Sequence, residues 1–150
     1  MGEIAQNTVK TQLVIVPSAR EIEHLSPLPQ PAYSQTSFPM TAGVPRPILM
    51  SNPSTFKIND ITVGVINTDI FKDMCGSLLT KQCSESKIDL SLKSILQQRV
   101  YYPLYPGNPS TPIEWEQFEK MMFPESVTPD ILIVPSQLKL IAKVTYLFNI

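Results

Sequence analysis

A chain of 150 residues, 43% of them apolar, is long enough and apolar enough to bury a core, which excludes wholesale disorder. Lys+Arg 12 against Asp+Glu 13 leaves a formal charge of −1, which excludes the basic footprint that nucleic-acid binding relies on. One histidine and two cysteines cannot close a zinc finger and are too few for an imidazole-rich hydrolytic centre. Cys75 and Cys83 form no disulfide framework and fit a reducing compartment. No apolar run reaches the roughly 18 residues of a membrane span, and the stretch from Met1 to Lys10 lacks a signal-peptide core. The fifteen prolines fall into two belts, Pro17 to Pro53 and Pro103 to Pro135, with none from Ser54 to Tyr102.

In chain order, Thr11-Gln12-Leu13-Val14-Ile15-Val16 is a nearly continuous apolar run stopped by Pro17, which predicts a strand buried on both faces. Ser18 to Glu21 has capping-box spacing and predicts a helical turn. The belt over about 23–53 cannot be a helix interior or a central strand, so it is expected as an ordered, extended surface loop. Thr55 to Ile58 and Ile61 to Ile66 flank Asn59-Asp60, the pattern of a tight hairpin. Asn67-Thr68-Asp69 then supplies N-cap chemistry for a helix with Ile70, Phe71, Met74 and Leu78 on one face.

Thr80 to Lys87 reads as a polar, mobile loop. A second amphipathic helix is predicted from about Asp89 to Val100, with Leu92, Ile95, Leu96 and Val100 inward. The second belt begins with loop residues 103–112. Thr111-Pro112-Ile113-Glu114 has the residues to open a short helix with Trp115, Phe118 and Met122 inward. Ile131 to Val134 is a second buried strand stopped by Pro135. Ser136 is placed to cap a further turn carrying Leu138, Ile141 and Ala142, and Val144 to Ile150 is strand-like. Leu13 to Ser18 and Ile131 to Ser136 match each other as strands ending in Val-Pro-Ser, where ligand sites of α/β layers ordinarily lie.

Little in these residues carries catalysis. Ser18 and Ser136 read as caps, since a nucleophilic serine needs a base within reach and only His24 could serve. Glu114, Glu116, Glu119, Glu125 and Asp130 read as a solvated face in preference to a carboxylate metal site. Cys75 and Cys83 read as a core-facing residue and a loop thiol, and five glycines leave no phosphate loop. Tyr101-Tyr102-Pro103-Leu104-Tyr105-Pro106 has two readings of equal weight. Tyr101, Tyr102 and Tyr105 either form a partner interface or pin the loop to their own domain.

Val16-Pro17-Ser18-Ala19-Arg20-Glu21-Ile22 before a proline belt, the Phe56 to Asp69 hairpin, Gln98 to Pro106, and Thr128 to Ser136 stand in a telling order. Their order and spacing resemble the accessory B-subunit family of DNA polymerases alpha, delta and epsilon, in its alpha branch. The resemblance covers nearly all of Thr11 to Ile150. It implies an α/β (α+β) fold: the C-terminal part of an inactive calcineurin-like phosphoesterase domain, a β-sandwich flanked by helices. On that reading residues 1–150 are a partial domain, lacking the OB-fold and N-terminal region that precede it in relatives, with edges exposed on the strands at Leu13 and Ile131. Active relatives carry Gly-Asn-His at a strand end, where this chain has Val16, Pro17 and Ser18. A later His motif is replaced by Val134, Pro135 and Ser136.

The resemblance therefore implies a non-enzymatic scaffold with no catalytic, metal or cofactor residues. Its implied setting is the nuclear polymerase alpha–primase complex in the initiation of DNA replication. The implied partner is the C-terminal domain of the catalytic subunit, with primase and DNA reached only through the complex. No membrane or small-molecule substrate is expected. The competing readings are an active metallophosphoesterase or nuclease, which lacks ligands, and direct DNA binding, which predicts steep salt dependence.

Overall fold

A computed structural model describes residues 11–21, 26–37, 45–79, 85–138 and 141–145, and these form a mixed α+β architecture. The hairpin forms as its sequence predicts. Strands β3 (Ser54–Ile58) and β4 (Ile61–Val65) pair antiparallel, in register from Ser54↔Val65 to Ile58↔Ile61. Asn59 takes φ 53 at the turn, a left-handed conformation that its short amide side chain tolerates. Strand β5 (Ile131–Ile133) joins the other edge of β4 in parallel, with Val63 opposite Ile131. Asp130 sets that register, because its N–H donates to Thr62 O and its Oδ2 accepts from Thr62 N, both at 2.8 Å.

The short strands β1 (Val14–Ile15) and β2 (Ile48–Leu49) form a separate parallel pair. Neither apolar run is buried on both faces, as the sequence had suggested. Val14, Ile131 and Ile133 are exposed, and Leu132 alone of β5 packs against the core. A continuous apolar run thus marks strand formation here, while burial depends on which layers cover it. Among the described residues each of β1 and β5 has one strand neighbour, so one edge of each is paired.

Helix α1 (Ile70–Ser77) begins where expected: Asp69 accepts from Lys72 N, and Ile70 and Met74 are buried. Helix α2 (Lys87–Gln98) starts earlier than its apolar pattern, at the Ser86 cap, which accepts from Asp89 N. It ends before Val100 because Arg99 turns to φ 55, the left-handed cap that stops a helix. Arg99 then reaches across, donating to Thr128 Oγ1 at 3.0 Å and to the carbonyls of Pro124 and Val127 at 2.9 Å.

The expected helix after Thr111 is instead a 3-10 segment, Trp115–Met121, entered without a side-chain cap. Thr111 is buried, and its hydroxyl donates to Asp73 Oδ2 at 3.2 Å, so it is not available to cap. The tighter period turns Met121 inward, leaving Met122 and Trp115 partly exposed. The first proline belt also departs from expectation, since it is not wholly at the surface. Leu28 and Gln30 are buried. Leu28 zips the two belts together, donating to Pro112 O at 2.9 Å and accepting from Glu114 N at 2.7 Å.

Ser18 does open a single turn, accepting from Arg20 N at 3.3 Å. Leu138, Ile141 and Ala142 are exposed and lie in no helix among the described residues, and Val144 and Thr145 are not strand. His24, Cys83, residues 80–84 of the polar loop and residues 146–150 lie outside the described residues. The core gathers Leu28, Ile66, Ile70, Met74, Ile95, Val100, Tyr101, Tyr102, Met121 and Phe123 between the sheet, the helices and both belts.

Candidate functional site

The two Val-Pro-Ser strand ends converge on one loop. Asn67, Thr68 and Asp69 follow β4, the central strand, and meet one strand end on each side. Asn67 Nδ2 donates to Val16 O at 3.4 Å, behind the fully buried Pro17. Asp69 accepts from Ser136 Oγ at 2.6 Å and from Gln137 N at 2.8 Å, just past Val134 and Pro135. Sequence spacing alone could not show this convergence, although the matched endings hinted at it.

The polar capacity of the convergence is consumed internally. Asn52, fully buried, accepts Asn67 N on Oδ1 at 2.8 Å and donates through Nδ2 to Gln30 Oε1 at 2.8 Å and to Asn67 O at 3.3 Å. Gln30 Nε2 donates to Ser18 O at 3.3 Å and Ser26 O at 3.1 Å. Buried amides need such partners, so the network cements the strand ends together. Sequence reasoning missed Gln30 and Asn52. Their signal was a lone amide set against proline in each case, Pro29-Gln30-Pro31 and Asn52-Pro53, where few neighbouring N–H groups exist to satisfy it.

Burial works to raise the Asp69 carboxyl, but the Gln137 N–H, the Ser136 hydroxyl, the Lys72 N–H and the Arg20 charge outweigh it and hold it below the ordinary carboxylate range. A lowered folded-state value stabilises the fold above pH of about 4, and that stabilisation is lost as pH falls through the lower value. Asp69→Asn should cost about 1–2 kcal/mol at neutral pH, because an amide N–H2 would face one of these donors. Urea unfolding of both proteins at pH 7 and pH 3 checks this: the two curves should draw together in acid.

The tyrosines divide. Tyr101 and Tyr102 are 1% and 0% exposed and pack into the chain's own core. Tyr101 Oη donates to Ser54 O at 3.1 Å and lies 2.6 Å from Thr55 Oγ1, while its ring packs edge-on against Phe123. Burial pushes its phenol up. Tyr102 Oη donates to Asp73 Oδ2 at 2.8 Å and accepts from Asn108 N at 3.2 Å. Burial chiefly, opposed by that N–H and aided by the Asp73 carboxylate, pushes its phenol up to about 12. Tyr105 alone is at the surface, 84% exposed.

Among the described residues no group of three or more His, Cys, Asp or Glu is placed to hold a metal ion. Glu116, Glu119, Glu125 and Asp130 are exposed, and Cys75 is half-buried. A cleft of about 660 Å³ lies beside Val134, Pro135 and Ser136, lined mainly by Leu92, Leu96, Leu132 and Ile141. Its aliphatic walls can hold apolar groups, and the Ser136 hydroxyl at its edge is already engaged by Asp69.

The family of DNA polymerase alpha/epsilon B subunits matches residues 1–143. The B subunit of DNA polymerase alpha from Bos taurus is 35% identical over 135 residues, covering 89% of this chain and 22% of that protein. The protein of the same name from Dictyostelium discoideum is 31% identical over 126 residues, covering 83% and 19%. That of Saccharomyces cerevisiae is 31% identical over 126 residues, covering 63% and 18%. The chain therefore spans about a fifth of the length of the curated relatives it matches.

Proposed function

The chain belongs to the B-subunit family of DNA polymerases alpha and epsilon, and from that premise we propose that it is a non-catalytic scaffold of the polymerase alpha–primase complex. Its place is the initiation of DNA replication in the nucleus, and its direct partner is the C-terminal domain of the catalytic subunit. Primase and DNA are reached through that complex. Residues 1–150 represent part of an inactive calcineurin-like phosphoesterase domain.

One observation carries the non-catalytic reading. The strand ends at Val16, Pro17, Ser18 and at Val134, Pro135, Ser136, which on this reading correspond to the histidine-bearing ligand positions of active phosphoesterases, are tied by hydrogen bonds to Asn67 and Asp69. Asp69, the carboxylate between them, already accepts three donors from the chain itself. Three of its roughly four acceptor sites are thereby occupied, so a cation would compete with these donors for any contact beyond one. Of the three tyrosines proposed for the partner interface, only Tyr105 presents its ring to solvent.

The chain should co-purify with the C-terminal domain of the catalytic subunit, and it should neither bind stoichiometric metal nor turn over a generic phosphodiester. Bound metal together with turnover would overturn the scaffold reading. Retention on DNA at low salt should be absent, which separates scaffolding from direct nucleic-acid binding.

A further inference from the structure

Three aromatic rings form a row that the core does not absorb. Trp115 stacks on Phe118, with ring centroids 5.5 Å apart, and Tyr105 meets Trp115 edge to face at 5.0 Å. The inner end is anchored, because Phe118 packs against the core. The outer end is open: Tyr105 is 84% and Trp115 40% exposed. Tyr105 lies close to Pro103 and Pro106, which limit the freedom its segment would lose on binding.

The charge around the row is one-sided. Glu114, Glu116 and Glu119 flank Trp115 and Phe118 in the chain, and among the described residues none of them is ion-paired. Lys120, the one cation among them, donates instead to Gln117 Oε1 at 2.8 Å. Exposed rings could stack bases, but unpaired carboxylates beside them repel a phosphate backbone. A cation is favoured on both counts, by the ring faces and by the carboxylates.

We infer that Tyr105, Trp115 and the flanking glutamates form a docking surface for an extended, cationic peptide segment of a partner protein. Arg or Lys side chains of the segment lie against the two rings and pair with the carboxylates. The Trp115 indole N–H, which has no hydrogen-bond partner among the described residues, donates to a carbonyl of the extended segment. This inference uses the surface chemistry alone and does not rest on the polymerase reading.

Trp115 is the only tryptophan, so its emission reports directly on this surface. The full chain is titrated with a short synthetic Pro-Arg repeat peptide, the same peptide with Glu for Arg, and oligodeoxythymidine. The Arg peptide should give a saturable change that weakens with salt, and the other two should give none. E114Q/E116Q/E119Q should weaken binding about five- to tenfold. Tyr105→Ala should weaken it about two- to fivefold, and both variants should keep the wild-type urea midpoint. No saturable change up to about 1 mM Arg peptide overturns the inference, as does equal binding of the Glu peptide or the oligonucleotide. Undiminished affinity in the triple variant overturns it too.

Discussion

Replacing Tyr102 by Ala should remove about 3–5 kcal/mol of unfolding free energy, the cost of emptying a fully buried aromatic site. Tyr102 is fully buried in the core, and its hydroxyl is one link between the second proline belt and helix α1 through Asp73. Asp73 also takes Asn108 Nδ2 at 2.6 Å and the Thr111 hydroxyl, so one carboxylate holds three points of the belt. Tyr102→Phe isolates the hydroxyl and should cost about 1.5–3 kcal/mol, the range for a hydrogen bond to a charged group. Tyr105→Ala, at the surface, should stay within about 0.5 kcal/mol. Urea unfolding of the three variants is the measurement. A Tyr102→Ala protein as stable as Tyr105→Ala would mean that the ring is not in the core. The pH dependence has a definite sign. With a folded value near 12, above the ordinary phenol value of about 10, this group's stabilisation is full below pH 10 and is lost as pH rises through 12. The Phe variant should lack that part of the alkaline decline.

The difference between Tyr102 and Tyr105 marks where the sequence stopped being informative. Local features were legible: the Asn59-Asp60 hairpin and the Asp69-capped helix form as their residues dictate, because both depend on neighbours within a few positions. The end of α2 was not, because Arg99 adopts a left-handed cap that is usually a glycine or asparagine. Arg99 is held there by three acceptors from 124–128, which no local pattern reveals. Thr111 was misread for the same reason, since a remote carboxylate at Asp73 takes the hydroxyl that local spacing assigned to a cap. The strand ends were located correctly, but the amides that bind them lie far apart in the chain, at Gln30, Asn52 and Asn67. Tertiary partners of this kind decide whether a polar or aromatic residue is core or surface, and composition cannot separate the two.

Gly64 presents the sharpest conflict between local preference and tertiary space. It sits mid-strand in β4, between Thr55 of β3 and Leu132 of β5, where strand propensity alone favours valine over glycine. A Cβ at this position would lie 2.6 Å from Tyr101 Oη and 2.8 Å from Pro129 Cγ. Neither neighbour is the end of a flexible chain: one belongs to a buried ring and the other to a proline. Gly64→Val should therefore destabilise by about 3 kcal/mol or more, combining overpacking with loss of the Tyr101 hydrogen bonds to Ser54 and Thr55. Gly64→Ala should cost about 1–3 kcal/mol. Pairing it with Tyr101→Phe removes the hydroxyl that the new methyl meets first, so the double variant should be about 1 kcal/mol more stable than the sum of the single effects predicts. The rescue should be partial, because Pro129 Cγ remains in the way. If Gly64→Ala proves neutral or stabilising, the close approach of Tyr101 to the central strand is wrong. The belt would then be held by Tyr102 and Asp73 without it.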